Sequence, residues 1–273
     1  MSGNARSRRS AARPDPAPSR TSWDHLAGWY DGWVGGSGSR YHRSIAIPAA
    51  LRLLDVRPGE RVLDVGCGQG VLAPFLAALG GTCVGVDASP AMVALARRRH
   101  GRDGTFLVAD AATLARHDVR RRLGPDFDAA VFLLSLQDMD PLEPILGSVG
   151  RVLKARARVV LLLTHPAFRV PRHSGWAADA SRGIVSRRVD AYLRPMAVPL
   201  AGRPGAGPTT TFHRPLSAYV AALARQGFAI DVLDELPDEP RLRGRRGPGH
   251  GSTTHPINED IPLFLALRAV RGR

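Results

Sequence analysis

Val62-Leu63-Asp64-Val65-Gly66-Cys67-Gly68-Gln69-Gly70 is the stretch whose reading decides the fold. It opens as a short apolar run, closes in a glycine cluster, and leads into residues 71–79, whose apolar positions have helical spacing. A buried strand that passes through glycines into a helix is the first unit of an alternating α/β chain. Glycines in such a turn let the main chain approach a ligand with no Cβ in the way. The carboxyl ends of parallel strands form the crevice in which nucleotides bind, so a bound group is expected at residues 64–70.

The same alternation continues downstream. Residues 82–86 read as a second strand, and Ser89 caps a helix that has Pro90 at its first position and runs to His100. Residues 105–109 and 129–134 read as strands three and four, and 142–153 as a helix. Residues 158–164 (RVVLLLT) form a fifth strand, apolar enough to be covered on both faces. Strands separated by helices predict a Rossmann-like, mostly parallel sheet with helices on both sides. A helix at 216–226 and strands at 228–233 and 261–270 close the chain.

Between these elements, residues 165–215 lose regularity. They are too long for a plain loop, so they read as a substrate-side insertion. Residues 237–257 read as a mobile loop. Upstream, 45–54 carries one apolar helical face, ended by Pro58-Gly59. In 21–40, Trp23, Trp29, Tyr30 and Trp33 sit among glycines, a pattern that suits a lid or packing arm. Residues 1–20 read as a disordered basic tail. The organisation expected is tail 1–20, helical arm 21–58, ligand-binding core 59–165, insertion 166–215 and the rest of the core at 216–273.

The 273 residues are 44% hydrophobic, which suits one α/β domain with an elaboration. No apolar stretch approaches the roughly 18 residues of a membrane span, and no apolar segment follows the basic N-terminus as a secretory signal requires. Two cysteines make no disulfide framework, and the cytoplasm is the expected compartment. No His/Cys cluster has zinc spacing, so no metal is expected. The net charge of +14 invites a nucleic-acid reading. However, Lys154 is the only lysine among 38 basic residues, which points to coding bias, and the arginine runs 97–99, 120–122 and 245–246 suit solvated faces.

Dinucleotide enzymes also place glycines after a first strand, in the pattern G-x-G-x-x-G/A. From Gly66 the third position is Val71, which fails; from Gly68 it is Ala73, which passes. Asp64 discriminates better. A carboxylate two residues before the first glycine suits a ligand with a cationic group and would repel a diphosphate. S-adenosylmethionine, with an ammonium, a sulfonium and no phosphate, meets that condition. Asp87 ends the second strand, about 17 residues past Gly70, where an acid accepts hydrogen bonds from ribose hydroxyls. Ala88 and Met92 would then lie beside the adenine. Asp110 ends the third strand; its side chain can reach the adenine amino group, and the Ala111 amide a ring nitrogen. Each acid taken alone is more often a helix N-cap or a solvated turn, but three at the ends of successive strands are hard to obtain by chance.

The strings VLDVGCGQG, VGVDASPAMVALAR and FLVADAATL resemble the class I S-adenosylmethionine-dependent methyltransferases. Within them they are most similar to the small-molecule branch that includes ubiquinone/menaquinone-biosynthesis-like enzymes. The string FDAAVFLLSLQDMDPLEPILGSVGRVLKARARVVLLLTHPAF resembles that branch's fourth and fifth strands. The resemblance covers residues 23–165 well, and HPAFRVPRHSGW and TFHRPLSAYVAALARQGF more loosely. It implies a seven-stranded sheet with the last strand antiparallel, and S-adenosyl-L-methionine held by Asp64, Gly66, Cys67, Gly68, Gly70, Asp87, Ala88, Met92, Asp110, Ala111 and Leu134. It also implies that Leu134, Ser135 and Gln137 border the methionine part. The Asn/Asp-Pro-Pro-Tyr/Phe string of amino-directed enzymes is absent, with Ser135-Leu136-Gln137-Asp138 in its place. This argues against a DNA or protein-glutamine substrate.

The expected reaction is in-line displacement at a sulfonium methyl, accelerated mainly by positioning. Where the acceptor is a hydroxyl or acidic carbon, His165, His213 and Tyr30 are the candidate bases. A lone histidine is as readily structural. Phe168, Trp176, Tyr192, Met196 and Phe212 in the insertion suggest a partly apolar pocket, hence a small organic acceptor. An RNA methyltransferase, a nicotinamide-dependent oxidoreductase and a cofactor-binding protein without turnover are the alternatives.

Overall fold

The computed structural model describes residues 23–200, 208–238 and 261–272. The tail at 1–20 and most of the loop expected at 237–257 lie outside the described residues.

A seven-stranded sheet has the order β10-β11-β5-β4-β1-β2-β3. Its strands are β1 (Arg61–Val65), β2 (Thr82–Asp87), β3 (Gly104–Val108), β4 (Phe127–Leu133), β5 (Leu153–Thr164), β10 (Phe228–Leu236) and β11 (Phe264–Arg271). The first five are parallel, and β11 runs antiparallel to both β5 and β10. This is the Rossmann-like sheet expected, with its last strand reversed.

Alternating side chains divide the core into two layers. Leu63, Val65, Leu161 and Leu163 face a cluster that includes α5 (His117–Leu123), α6 (Leu142–Gly150) and α7 (Leu216–Arg225). Val62, Val160 and Leu162 face the other side, against α2 (Ile47–Leu54), α3 (Ala73–Ala78) and α4 (Pro90–His100). Burial on both faces is what makes the RVVLLLT run continuously apolar. Ser89 caps α4 as expected, its Oγ accepting from Met92 N at 3.2 Å. A short helix α1 (Ala27–Val34) precedes α2 and packs Val34 into the second layer.

Two expectations change. The helix expected at 142–153 stops at Gly150, and Leu153 instead begins β5, paired with Phe127. Gly147 and Gly150 make this a weak helix end, and strand pairing prevails. The irregular stretch 165–215 contains two antiparallel hairpins, β6 (Ser174–Asp179) with β7 (Ile184–Val189), and β8 (Met196–Leu200) with β9 (Thr209–His213). The first hairpin is exposed on much of both faces, so it lacks the buried alternation that marks a strand in sequence.

Candidate active site

A cavity of about 620 Å³ opens at the carboxyl ends of β1 to β5. Its floor is the turn after β1. Gly66, Gly68 and Gly70 have φ of +71°, +52° and +80°, a left-handed conformation that glycine adopts without penalty. The three serve different ends. A Cβ on Gly66 would strike Met139 and Ser135, and one on Gly70 would lie 2.8 Å from the Phe106 ring, whereas the space beside Gly68 is open. Gly66, Cys67 and Gly68 line the cavity; Gly70 does not, and its role is close packing.

Acids stand along this edge in the order of the strands. Asp64 on β1 is 2% exposed and its Oδ1 has no hydrogen-bond partner. Burial, with nearby Asp87 adding to it, pushes its carboxyl up to about 7. Asp87, ending β2, accepts from Gly68 N at 2.9 Å and Ser89 N at 2.8 Å and so pins the glycine turn. Burial raises its pKa and those two amides oppose the rise. Two of the carboxylate's roughly four acceptor positions remain for a ligand. Asp110, after β3, accepts from Ala112 N at 2.9 Å, so the capping reading also holds. Asp87, Ala88, Met92, Asp110 and Ala111 all line the cavity.

At the end of β4 the chain bends sharply. Leu134 has φ +55°, rare for a branched residue and often associated with functional sites. The bend carries Leu134, Ser135, Gln137 and Asp138 to the cavity wall. Ser135 Oγ donates to Val65 O at 2.6 Å, and Gln137 Oε1 is buried without a partner.

The N-terminal arm forms the opposite wall through Trp23, Tyr30, Val34, Ser39, Tyr41 and His42. It is latched to the core at several points. Asp24 Oδ1 accepts from Ser89 Oγ at 2.5 Å and Ala91 N at 3.0 Å, Arg99 pairs with Asp31, and Gln69 donates to Gly35 O. Among the described residues lining the cavity there is no lysine or arginine.

The three expected bases fare differently. His165 and His213 lie outside the cavity wall. His165 bonds Glu235 through Nε2 at 2.9 Å and accepts from Ala167 N through Nδ1 at 3.2 Å, and burial lowers its pKa against the opposing Glu235. His213 Nε2 donates to Tyr192 O at 2.7 Å. The carboxyl ends of β5 and β9 thus each carry a histidine hydrogen-bonded to a neighbouring segment. Tyr30 does line the cavity, but burial, then Asp138 and Asp87, push its phenol upward, so it is a hydrogen-bond donor and a poor base. Phe168, Trp176, Tyr192, Met196 and Phe212 are likewise absent from the wall. The apolar lining comes instead from the arm, Met139, Ile145, Leu263 and Phe264.

Two wall residues escaped sequence reasoning. His42 stands between Tyr41 and Arg43 with nothing in the local pattern to mark it; its Nδ1 is 2.8 Å from Ser39 Oγ, and burial lowers its pKa to about 4. Asp138 is raised to about 7 by burial, which the nearby Thr211 hydroxyl opposes. Its position after the fourth strand was the available signal.

The residues present fit S-adenosylmethionine. A buried carboxylate oxygen lacks a partner, an open glycine lies beside it, and acids end successive strands in a cavity of the size that small ligands occupy. The fold and the strand-end acids resemble those of the class I S-adenosylmethionine-dependent methyltransferases. Residues 62–156 match a methyltransferase domain family.

Among similar proteins is the 2-phytyl-1,4-naphtoquinone methyltransferase of Synechococcus elongatus, 35% identical over 124 residues, 44% of this chain and 52% of that protein. The demethylmenaquinone methyltransferase of Beutenbergia cavernae is 32% identical over 159 residues, 58% and 59% of the two chains. The chain spans about half the length of the curated relatives it matches. A structure of an S-adenosylmethionine dependent methyltransferase from Mesorhizobium loti superposes with a TM-score of 0.65 at 25% identity, over 87% of this chain and all of that one.

Proposed function

We propose that the chain is an S-adenosylmethionine-dependent methyltransferase acting on a small organic acceptor. The observation that carries this is the buried, unpartnered Asp64 oxygen beside the glycine turn, in a cavity whose described wall has no cationic side chain. A diphosphate placed there would be repelled by the carboxylate. When bound, the cofactor supplies a methyl group activated on a sulfonium. Asp64 holds its ammonium directly or through water and loop amides, Asp87 the ribose hydroxyls, and Asp110 with the Ala111 amide the adenine edge. Ala88 and Met92 pack beside the adenine. Cys67 is a neutral filler, its buried thiol raised well above the ordinary value. The bend at Leu134 brings Ser135 and Gln137 to the methionine end, and the arm excludes water.

The relatives are named for 2-phytyl-1,4-naphtoquinone and demethylmenaquinone, which supports an organic, non-polymeric acceptor. On this reading the chain divides into an arm at 21–58, a cofactor-binding core at 59–165, an insertion at 166–215 that braces the site, and the remaining core at 216–273. No helix among the described residues is long and apolar enough to cross a membrane. Cys67 and Cys83 are free, buried thiols, which suits a reducing compartment such as the cytoplasm.

Calorimetry with S-adenosylmethionine, its demethylated product and NADH tests the reading. Micromolar uptake of the first two and no heat from NADH is expected; the reverse pattern would end it.

A further inference from the structure

We propose that Asp138 is the catalytic residue that takes the proton from the acceptor, and that the reacting group of the acceptor is a neutral hydroxyl. This deepens the methyltransferase reading and rests on it.

The argument begins with the order of the strands. Along the sheet edge, β3, β2, β1 and β4 are consecutive and end near Asp110, Asp87, Asp64 and Asp138. Neighbouring strands are about 4.8 Å apart. The first three acids are engaged by the adenosyl and amino-acid parts of the cofactor. The fourth has no such partner, yet it lines the same cavity. It stands on the side of β5 and β11, where Thr164, Leu263, Phe264 and Tyr41 supply a largely apolar wall. That is where an organic acceptor has room.

Asp138 is also held in place by the insertion. Thr211 Oγ1 on β9 donates to Gln137 O at 3.2 Å, and the nearness of that hydroxyl to the Asp138 carboxyl opposes the rise in pKa. Arg214, next after β9, is buried and donates to Met139 O at 2.6 Å and Asp140 Oδ1 at 2.8 Å. The second hairpin therefore clamps both sides of Asp138 without itself lining the cavity. Gln137 Oε1, buried and unpartnered, adds an acceptor that only a hydrogen-bond donor would satisfy.

The charge of the wall limits the acceptor. Asp64, Asp87, Asp110, Asp138 and Asp140 line the cavity with no lysine or arginine among its described residues, and His42 is uncharged above about pH 4. A phosphate or carboxylate on the reacting end would be repelled, whereas a hydroxyl donates to these groups. The groups facing Asp138 are Tyr30 from the arm, Thr211 from β9, and Tyr219 with Arg214 from the α7 side. Burial holds the carboxyl near 7, so it is ionised just above neutrality and strong enough to accept a phenolic or similar proton. Asp64, raised as far, faces the cofactor's ammonium on this reading, and His42 is a far weaker base. In the transfer, the acceptor O–H breaks and its proton goes to Asp138 Oδ. The oxygen gains the methyl carbon, and the carbon–sulfur pair leaves with sulfur.

The test uses protein saturated with S-adenosylhomocysteine and a panel of phenols from catechol to 2-naphthol, each paired with the matching aromatic carboxylate. Calorimetry should show at least one phenol bound ten-fold or more tighter than its carboxylate. Asp138→Asn should narrow that gap by allowing the carboxylate in. With S-adenosylmethionine and the best phenol, methyl ether formation should fall below about pH 7. Asp138→Asn should lower kcat by about 100-fold or more, with cofactor affinity within two-fold, and Asp138→Glu should recover part of the rate. If no phenol binds more tightly than its carboxylate, or if Asp138→Asn keeps its rate, the proposal is overturned. Failure of S-adenosylhomocysteine to bind would instead overturn the methyltransferase reading beneath it.

Discussion

Asp64 is buried at a cost that its ligand offsets. Its carboxyl keeps a proton up to about pH 7 in the folded chain but loses it near pH 4 when unfolded. Between these values the native state binds the extra proton, so stability declines as pH rises through that window, by roughly 1.4 kcal/mol per pH unit for this group alone. Asp64→Asn should therefore raise the ligand-free stability above pH 7, by urea denaturation, while weakening S-adenosylmethionine binding by about 10- to 100-fold through loss of a charged partner. A variant that binds the cofactor as well as the parent would show that Asp64 plays no such part. Gly66 is constrained differently. A side chain there meets both a left-handed φ and the Met139–Ser135 wall. Gly66→Ala should lose about 2 kcal/mol or more of stability, measured by the same unfolding curves, whereas Gly68→Ala should lose less because its surroundings are open.

At the scale of elements, the arm is a short helix that could not stand alone. With only eight residues, two of them glycines, α1 depends on what it touches. Asp24 is the main tie, since it satisfies both the Ser89 hydroxyl and a free amide in the first turn of α4. Asp24→Ala should speed proteolytic cleavage within 23–42 and weaken cofactor binding about 3- to 10-fold, in keeping with two lost hydrogen bonds partly replaced by water. The core should melt within about 3 °C of the parent. An unchanged cleavage rate would mean that the aromatic contacts, such as Trp23 against Tyr30 at 5.4 Å, hold the arm without it. The elements legible in sequence were those with a buried side. β1, β2, β5 and α4 alternate or repeat because one or two faces meet the core. The hairpins of 165–215 were not legible because much of their surface faces water and their order comes from cross-strand bonding, as between Met196–Leu200 and Thr209–His213.

For the whole molecule, the contrast of charge is the notable feature. The chain carries a net +14, yet the described wall of this cavity has five aspartates and no lysine or arginine. The arginines act at the surface and between elements, as Arg158 does with Glu60 and Arg268 with Asp231. Saturating cofactor should stabilise the native state as a whole. At 100 times the dissociation constant the gain is about 2.7 kcal/mol, or roughly 5–10 °C in Tm for a chain of this size. A thermal scan that shows less than about 1 °C of shift at that concentration would contradict binding in the cavity.

The sequence by itself determined the alternating fold, the glycine turn and the acids at 64, 87 and 110. Each is encoded locally, by a burial period or by a residue at the end of a strand. Which side chains share a cavity was decided only by the tertiary structure. His165 and His213 looked as eligible as any base, but the sheet turned them into structural links, while Asp138 and His42 came to the wall through a bend and an arm whose contacts join residues far apart in the chain. Local pattern reports which face a residue presents; it carries no record of what will be packed against it.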